Sequence, residues 1–220
     1  MFRKILITAG STTVPIDQVR AITNIFYGRT GTEIAKHYAE QGDEITLITS
    51  KADLLDGYHK APIRVVPYRT FDQLKDTMGA EIAAHRYDIV IHSAAVSDYR
   101  VDGVYVETGG KLQALDKSKK VSSKHDNLFL RLIPTLKIVD LIRREWNFRG
   151  LLVKFKLEVG LSDEELIAVA ARSLKDSQAD YIIANCLEWM GSRAFIIDKN
   201  GNRWKTARRN LPSEMHRRIT

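Results

Sequence analysis

KILITAG at residues 4–10 and NIFYGRTG at residues 24–31 decide how this chain folds. Ile5, Leu6 and Ile7 form an unbroken apolar run, which suits a strand covered on both faces, as in a parallel sheet. After Gly31 apolar residues recur at helical spacing, at Ile34, Ala35, Tyr38 and Ala39, until Gly42 stops the pattern. A polar loop lies between the two. Gly28 and Gly31 therefore stand at a helix N-terminus, where unpaired backbone N–H groups and the helix dipole favour a bound phosphate; a tight turn is the other use for such glycines. The dinucleotide fingerprint G-x-G-x-x-G follows its strand directly, whereas residues 11–27 intervene here between Gly10 and Gly28. That spacing argues against a conventional NAD site.

Outward from this stretch, strands alternate with helices. Residues 44–49 and 63–67 read as strands separated by the polar loop 51–62, and residues 71–84 as a helix with Leu74, Met78 and Ile82 on one face. Residues 88–96 are the next buried strand, ending in small residues before Ser97, Asp98 and Tyr99, and ligands bind beyond the carboxyl ends of such strands. His92 lies inside that run, either as a hydrogen-bonded core residue or as a catalytic group. From Arg100 to Lys119 periodicity lapses among glycines and charges, which reads as a mobile connection rather than an element. Residues 129–133 form a strand, Pro134 opens a helix that buries Ile138, Val139, Leu141, Ile142 and Trp146, and residues 151–157 form another core strand. Ser162 and Glu165 make a capping box for a helix running to about Gln178. Residues 181–185 are the last central strand, and Asn200-Gly201 marks the turn of a hairpin over residues 194–206. The pattern predicts a three-layer α/β domain with a mainly parallel sheet, a flexible flap at about residues 100–124 and a small C-terminal hairpin, all in a single domain over residues 1–220.

The 220 residues are 44% hydrophobic, enough for a packed core, and no run approaches the length needed to span a bilayer. The opening Met-Phe-Arg-Lys leads straight into a strand without a signal-peptide segment, so the expected location is the cytoplasm. A single cysteine, Cys186, excludes an intrachain disulfide and a multi-cysteine metal site, and its apolar surroundings suit a core thiol. A net charge of +7 raises the question of nucleic acid. The basic residues are spread out, with concentrations at 111–124 and 203–218. The first surrounds serines and glycines rather than aromatics able to stack on bases, so a phosphate-rich small molecule explains it as well as DNA does. A solvated surface is the plain reading of the second.

Ordered motifs go further. ILITAGSTTVPIDQVRAITN with GRTG (residues 5–24 and 28–31), SAAVSDY (93–99), KVSSK (120–124), PTLKI (134–138), FKLE (155–158) and DYIIAN (180–185) together resemble the signature of the phosphopantothenoylcysteine synthetase family, also called phosphopantothenate cysteine ligase. The resemblance implies a Rossmann-like fold and a stand-alone ligase without flavin. Such a ligase joins 4'-phosphopantothenate to L-cysteine in coenzyme A biosynthesis. It implies a nucleoside triphosphate co-substrate, CTP or ATP, with Mg²⁺, an acyl-nucleotide intermediate, and a homodimer with no membrane and no nucleic-acid partner. By resemblance, Asn24 contacts the acyl group and supports the second half-reaction, and Lys120 is the flap lysine that meets the triphosphate. Gly28, Arg29, Gly31 and Asn185 match substrate-binding positions. Gly10, Ala94, Ala95, Asp98, Phe155 and Glu158 match the nucleotide pocket. No metal ligand is assigned.

Plainer roles stand beside these. Asn24 can be a helix cap or loop residue, Asp98 a turn residue, Lys120 solvated surface, and Lys137 a helix residue facing water. The chain also departs from the family. Phe26 and Tyr27 stand where two serines are common, Ser177 where a lysine is often found, and the segment after Arg208 does not align. A paralogue with an altered acyl substrate stays open, as does a relative that binds nucleic acid without catalysis.

Overall fold

A computed structural model describes residues 2–219. In chain order its strands are β1 (Lys4–Ala9), β2 (Thr13–Pro15), β3 (Ala21–Thr23), β4 (Glu44–Thr49), β5 (Ile63–Pro67), β6 (Ile89–His92), β7 (Tyr99–Thr108), β8 (Lys111–Leu115), β9 (Phe129–Pro134), β10 (Leu151–Glu158), β11 (Tyr181–Cys186), β12 (Arg193–Asp198) and β13 (Arg203–Ala207). The helices are α1 (Arg29–Glu40), α2 (Phe71–Ala84), α3 (Ile138–Arg144), α4 (Asp163–Asp176) and α5 (Leu211–Ile219).

The main sheet runs β13-β12-β11-β10-β6-β1-β4-β5. The six strands from β11 to β5 are parallel, and only the β12–β13 hairpin is antiparallel. Numbered as they occur, the parallel strands follow the doubly wound order 3-2-1-4-5-6, in which the order reverses between the first and fourth strands and opens a crevice at their carboxyl ends. Those strands are β1 and β6. The apolar run in β1 is buried because both faces are covered. Leu6 packs with Met78 of α2, Ile142 of α3 and Leu152, while Ile5 and Ile7 pack with Ile34 and Tyr38 of α1 and Met215 of α5. The result is the three-layer arrangement, and Cys186 lies in its core.

Several local expectations change. The polar loop 11–27 contains the β2–β3 hairpin. Residues 100–119 are elements rather than a connection: they hold most of β7 and all of β8, which join β9 in a three-stranded antiparallel arm. A bulge between Val101 and Gly103 breaks the alternation, and the arm's buried face is completed by Val14 and Val121 from elsewhere in the chain. Pro134 ends β9 instead of opening α3, whose N-cap is Lys137. The strand expected over 88–96 stops at His92. The C-terminal hairpin does form, as an extension of the main sheet, and α5, not among the expected elements, follows it.

Helix α1 lies unusually close to the sheet at Gly31. A Cβ there would come 2.4 Å from Ser93 Oγ and 2.8 Å from Ala9 Cβ. Ser93 has little freedom to retreat, since its hydroxyl donates to Thr8 O at 2.6 Å. Gly31→Ala sets a gain of about 1 kcal/mol in helix propensity against an overpacking cost of about 1–3 kcal/mol. The clash should win. Guanidinium unfolding should show a lower midpoint for Gly31→Ala than for wild type, and a raised midpoint would contradict the close packing.

Candidate active site

Beyond the last residues of β1 and β6 the two chains continue side by side. Ala95 N donates to Gly10 O at 2.8 Å, Thr12 N donates to Ala95 O at 3.2 Å, and Ser11 bridges to Ala95 in the parallel sense. Asn24, just past β3, donates its amide Nδ2 to the same Ala95 carbonyl at 3.0 Å. The α1 N-terminus closes on this point from the other side. Gly28, at φ +85°, is the N-cap of α1, and a Cβ on it would lie 2.3 Å from Gly10 N. Gly10, itself at φ +85°, abuts Ser50 beyond β4. Gly10, Asn24, Gly28, Gly31, Ala94 and Ala95 are thus brought together at the crevice. The capping role for Asn24 is excluded, since Gly28 is the cap and no side chain caps α1. The first turn of α1 carries no acidic residue, and Arg29 there is exposed.

The remaining candidates spread outward along the carboxyl edge. Asp98 is exposed, its carbonyl accepts from Thr135 N at 2.9 Å, and its carboxylate lies 3.8 Å from Lys137 Nζ. Lys137 is itself largely exposed, in keeping with its plainer role. Phe155 packs in the α1-side core, while Glu158 pairs with Lys156 at 2.9 Å at the end of β10. Asn185, opposite Leu157, sits near the end of β11. Lys120 is exposed in the connection between β8 and β9, and the structure does not bring its ammonium into contact with the others.

The next residue explains why that connection is anchored. Val121 is buried, its N–H donates to Asp17 Oδ2 at 3.0 Å, and its carbonyl accepts from Arg20 Nη2 at 2.7 Å. Asp17 also accepts from Val19 N and Arg20 N, closing the β2–β3 turn. The Arg20 guanidinium beside it, together with these backbone donors, holds the Asp17 carboxyl far below the usual carboxylate range. Sequence reasoning missed the Asp17–Arg20 clasp, although an aspartate accepting from the backbone two and three residues on is a recognisable Asx turn.

His92 belongs to the core, as one of its two readings held. Thr8 Oγ1 accepts from Ser93 N and Ala94 N, both at 3.1 Å, and lies 2.9 Å from His92 Nδ1. A hydroxyl has two lone pairs and one hydrogen. With both lone pairs used, Thr8 must donate to Nδ1, so the proton of the neutral imidazole is on Nε2. Burial, with a smaller contribution from Lys154, lowers the His92 pKa from 6.5 to about 4. Lys154 is itself pushed down by burial, and it donates to Ser173 O, Ser173 Oγ and Ser177 Oγ. Ser177 thereby gains a task as its acceptor.

The sign of the His92 shift fixes a pH dependence. The folded state resists a proton that the unfolded chain accepts, so the contribution to stability is whole above about pH 6.5 and falls as pH drops toward about 4. At up to about 1.4 kcal/mol per pH unit, this is a loss of roughly 3 kcal/mol across the window. His92→Gln should show a shallower fall in unfolding free energy between pH 7 and pH 5 than wild type. Parallel curves would contradict the assignment.

The chain is 34% identical over 190 residues to the coenzyme A biosynthesis bifunctional protein CoaBC of Thermococcus kodakarensis, covering 86% of this chain and 43% of that protein. The chain spans about half the length of the curated relatives it matches. A crystal structure of the DNA/pantothenate metabolism flavoprotein from Streptococcus pneumoniae superposes with a TM-score of 0.81 at 28% identity, over 99% of this chain and 98% of that one. A mutant of Cab2 in complex with phosphopantothenate-cysteine shares the fold, with a TM-score of 0.73 at 17% identity, over 98% of this chain and 86% of that one. The model of the DNA/pantothenate metabolism flavoprotein C-terminal domain family matches residues 2–215. The chain belongs to that family.

Proposed function

We propose that this chain is a phosphopantothenate cysteine ligase of coenzyme A biosynthesis, which forms an acyl nucleotide from 4'-phosphopantothenate and CTP or ATP and passes the acyl group to L-cysteine. The observation that carries this reading is the meeting of Asn24, Ala95, Gly10 and Gly28 at the crevice between β1 and β6. Family membership and the ordered motifs support it.

A free carboxylate is a poor acyl donor because its oxygen would leave as oxide. In the first step a substrate carboxylate oxygen attacks the α-phosphorus and pyrophosphate departs. In the second, the cysteine amine adds to the acyl carbon, loses a proton and expels the nucleoside monophosphate. Neither step is a redox step, so a flavin has no task. Gly10, Ala94, Ala95, Asp98, Phe155 and Glu158 are assigned to the nucleotide, and Gly28, Arg29, Gly31 and Asn185 to the acyl substrate. Asn24 uses one amide hydrogen on Ala95 O and keeps the other for the acyl oxygen as negative charge develops there. Lys120 is assigned to the pyrophosphate.

Magnesium enters this scheme with the triphosphate, as part of the co-substrate. Among the described residues no group of three or more His, Cys, Asp or Glu is placed to hold a metal. A second copy of the chain is proposed as partner, since the arm exposes Leu112, Phe129 and Leu132. No helix among the described residues is long and apolar enough to cross a membrane, and a cytoplasmic location is proposed with the pathway. In the basic tail Arg208 pairs with Glu33, Arg217 and Arg218 with Glu214, and Lys205 with Asp163, which favours an ion-paired solvated surface over a nucleic-acid site.

The test is release of pyrophosphate that depends on phosphopantothenate and nucleotide, with transfer to cysteine followed separately. Asn24→Ala should form acyl nucleotide yet transfer it about 10²- to 10³-fold more slowly, so the intermediate accumulates and is visible by mass spectrometry. Loss of its bond to Ala95 should cost only about 1 kcal/mol of stability. Lys120→Ala should do the reverse, slowing acyl-nucleotide formation while sparing cysteine attack on preformed intermediate. No pyrophosphate release from wild type with either nucleotide would remove the reading, and equal loss of both steps in Asn24→Ala would remove Asn24 from its role.

A further inference from the structure

Tyr27 directly precedes Gly28, and its side chain is held on two sides. Its hydroxyl donates to Asp53 Oδ2 at 2.9 Å, and Lys51 Nζ sits 4.4 Å from the ring centroid. Lys51 lies just past β4, and Asp53 is in the short 3-10 turn Ala52–Leu55 that follows. The side chain therefore reaches from the entrance of α1 across to the exit of β4. That turn is tied to α1 in its own right, since Lys36 Nζ donates to Leu54 O at 2.7 Å and the Tyr58 hydroxyl to Lys36 O at 3.2 Å.

In a doubly wound fold the three fingerprint glycines provide the tight turn, the close backbone approach to pyrophosphate and the close helix–strand packing. Here Gly10 and Gly28, both at φ +85°, take the turn conformation, and Gly31 gives the close helix–strand packing. An acidic residue about 20 residues past the glycines, at the end of the second strand, takes the ribose of a bound NAD, and a basic group near that place accommodates the 2'-phosphate of NADP. The second strand is β4, and the place falls on Lys51, lying over the Tyr27 ring.

We infer that Tyr27 is a specificity-determining residue: pinned by Asp53 and Lys51, its ring closes the β4 side of the carboxyl edge and confines ligands to the side of β6 and β10, so that a phosphorylated dinucleotide is refused. That the admitted ligand is a nucleoside triphosphate rests on the proposed ligase reading; the wall rests on the contacts of Tyr27 alone.

Isothermal titration of NADP⁺ into the full chain tests the wall without requiring turnover. Tyr27→Ser should bind NADP⁺ at least about tenfold more tightly than wild type, and adding Lys51→Ala to Tyr27→Ser should remove the gain. Asp53→Ala, which frees the ring but keeps it, should gain less than Tyr27→Ser. Binding by a folded Tyr27→Ser no tighter than that of wild type overturns the inference, as does tight binding by wild type itself. Should Tyr27→Ser fail to fold, Asp53→Ala decides, and unchanged binding there overturns it. Pyrophosphate release by wild type is measured in parallel, and its absence counts against the ligase reading while leaving the titration intact.

Discussion

Two backbones come closer at Gly10 and Gly28 than any side chain would permit, and the rest of the site depends on that approach. Both residues are at φ +85° and both lack a Cβ, so the end of β1 and the start of α1 touch directly. Gly31 lets the first turn of α1 settle onto Ala9 and Ser93. The N-terminal N–H groups of α1 are thereby aimed at the crevice where strand order reverses, with neither a side-chain cap nor an acidic residue to occupy them. Helices α2 and α4, by contrast, begin in complete capping boxes.

The other wall of the crevice is set by one hydroxyl. Thr8 serves Ser93, Ala94 and His92 at once, and so ends β6 and turns the chain toward Ala95. Ala95 in turn collects Gly10, Thr12 and Asn24. The β2–β3 hairpin that delivers Asn24 is held to the arm by Val14, Val101, Val104 and Val121, a small core separate from the two that flank the main sheet. Lys120 hangs beside this small core, fixed through the Asp17–Arg20 clasp to the hairpin that carries Asn24. The two residues assigned to the two half-reactions are therefore mechanically linked.

Much of this was legible because it is local. The Ile5–Ile7 run, the capping box at Ser162 and the alternation of strands with helices each state their structure within a few residues, and the three-layer sheet follows from them. What escaped was long-range or interrupted. The arm's strands hide behind a bulge and bury valines against partners from distant segments, so no window of sequence shows the pattern. Helix α5 did leave a signal, since Leu211, Met215 and Ile219 recur every four residues and all are buried, but the stretch is short and crowded with arginine. The glycines of the site were visible singly, yet the hairpin inserted between Gly10 and Gly28 concealed that the two backbones touch. The Thr8–His92 bond joins residues 84 positions apart, and only the sheet register brings them together.

On the proposed reading, ligand lies at the carboxyl ends of β1 and β6. Amide hydrogen exchange of the wild-type chain with phosphopantothenate and nucleoside triphosphate, together and singly, tests that placement most directly. Exchange should slow at Gly10–Ser11, Gly28–Gly31, Ser93–Asp98 and the segment around Lys120, with the groove formed by Phe2, Arg3, Lys4, Arg86 and Asp88 at the opposite end unchanged. Protection at that opposite groove, or none at Gly28–Gly31 and Ser93–Asp98, would contradict it.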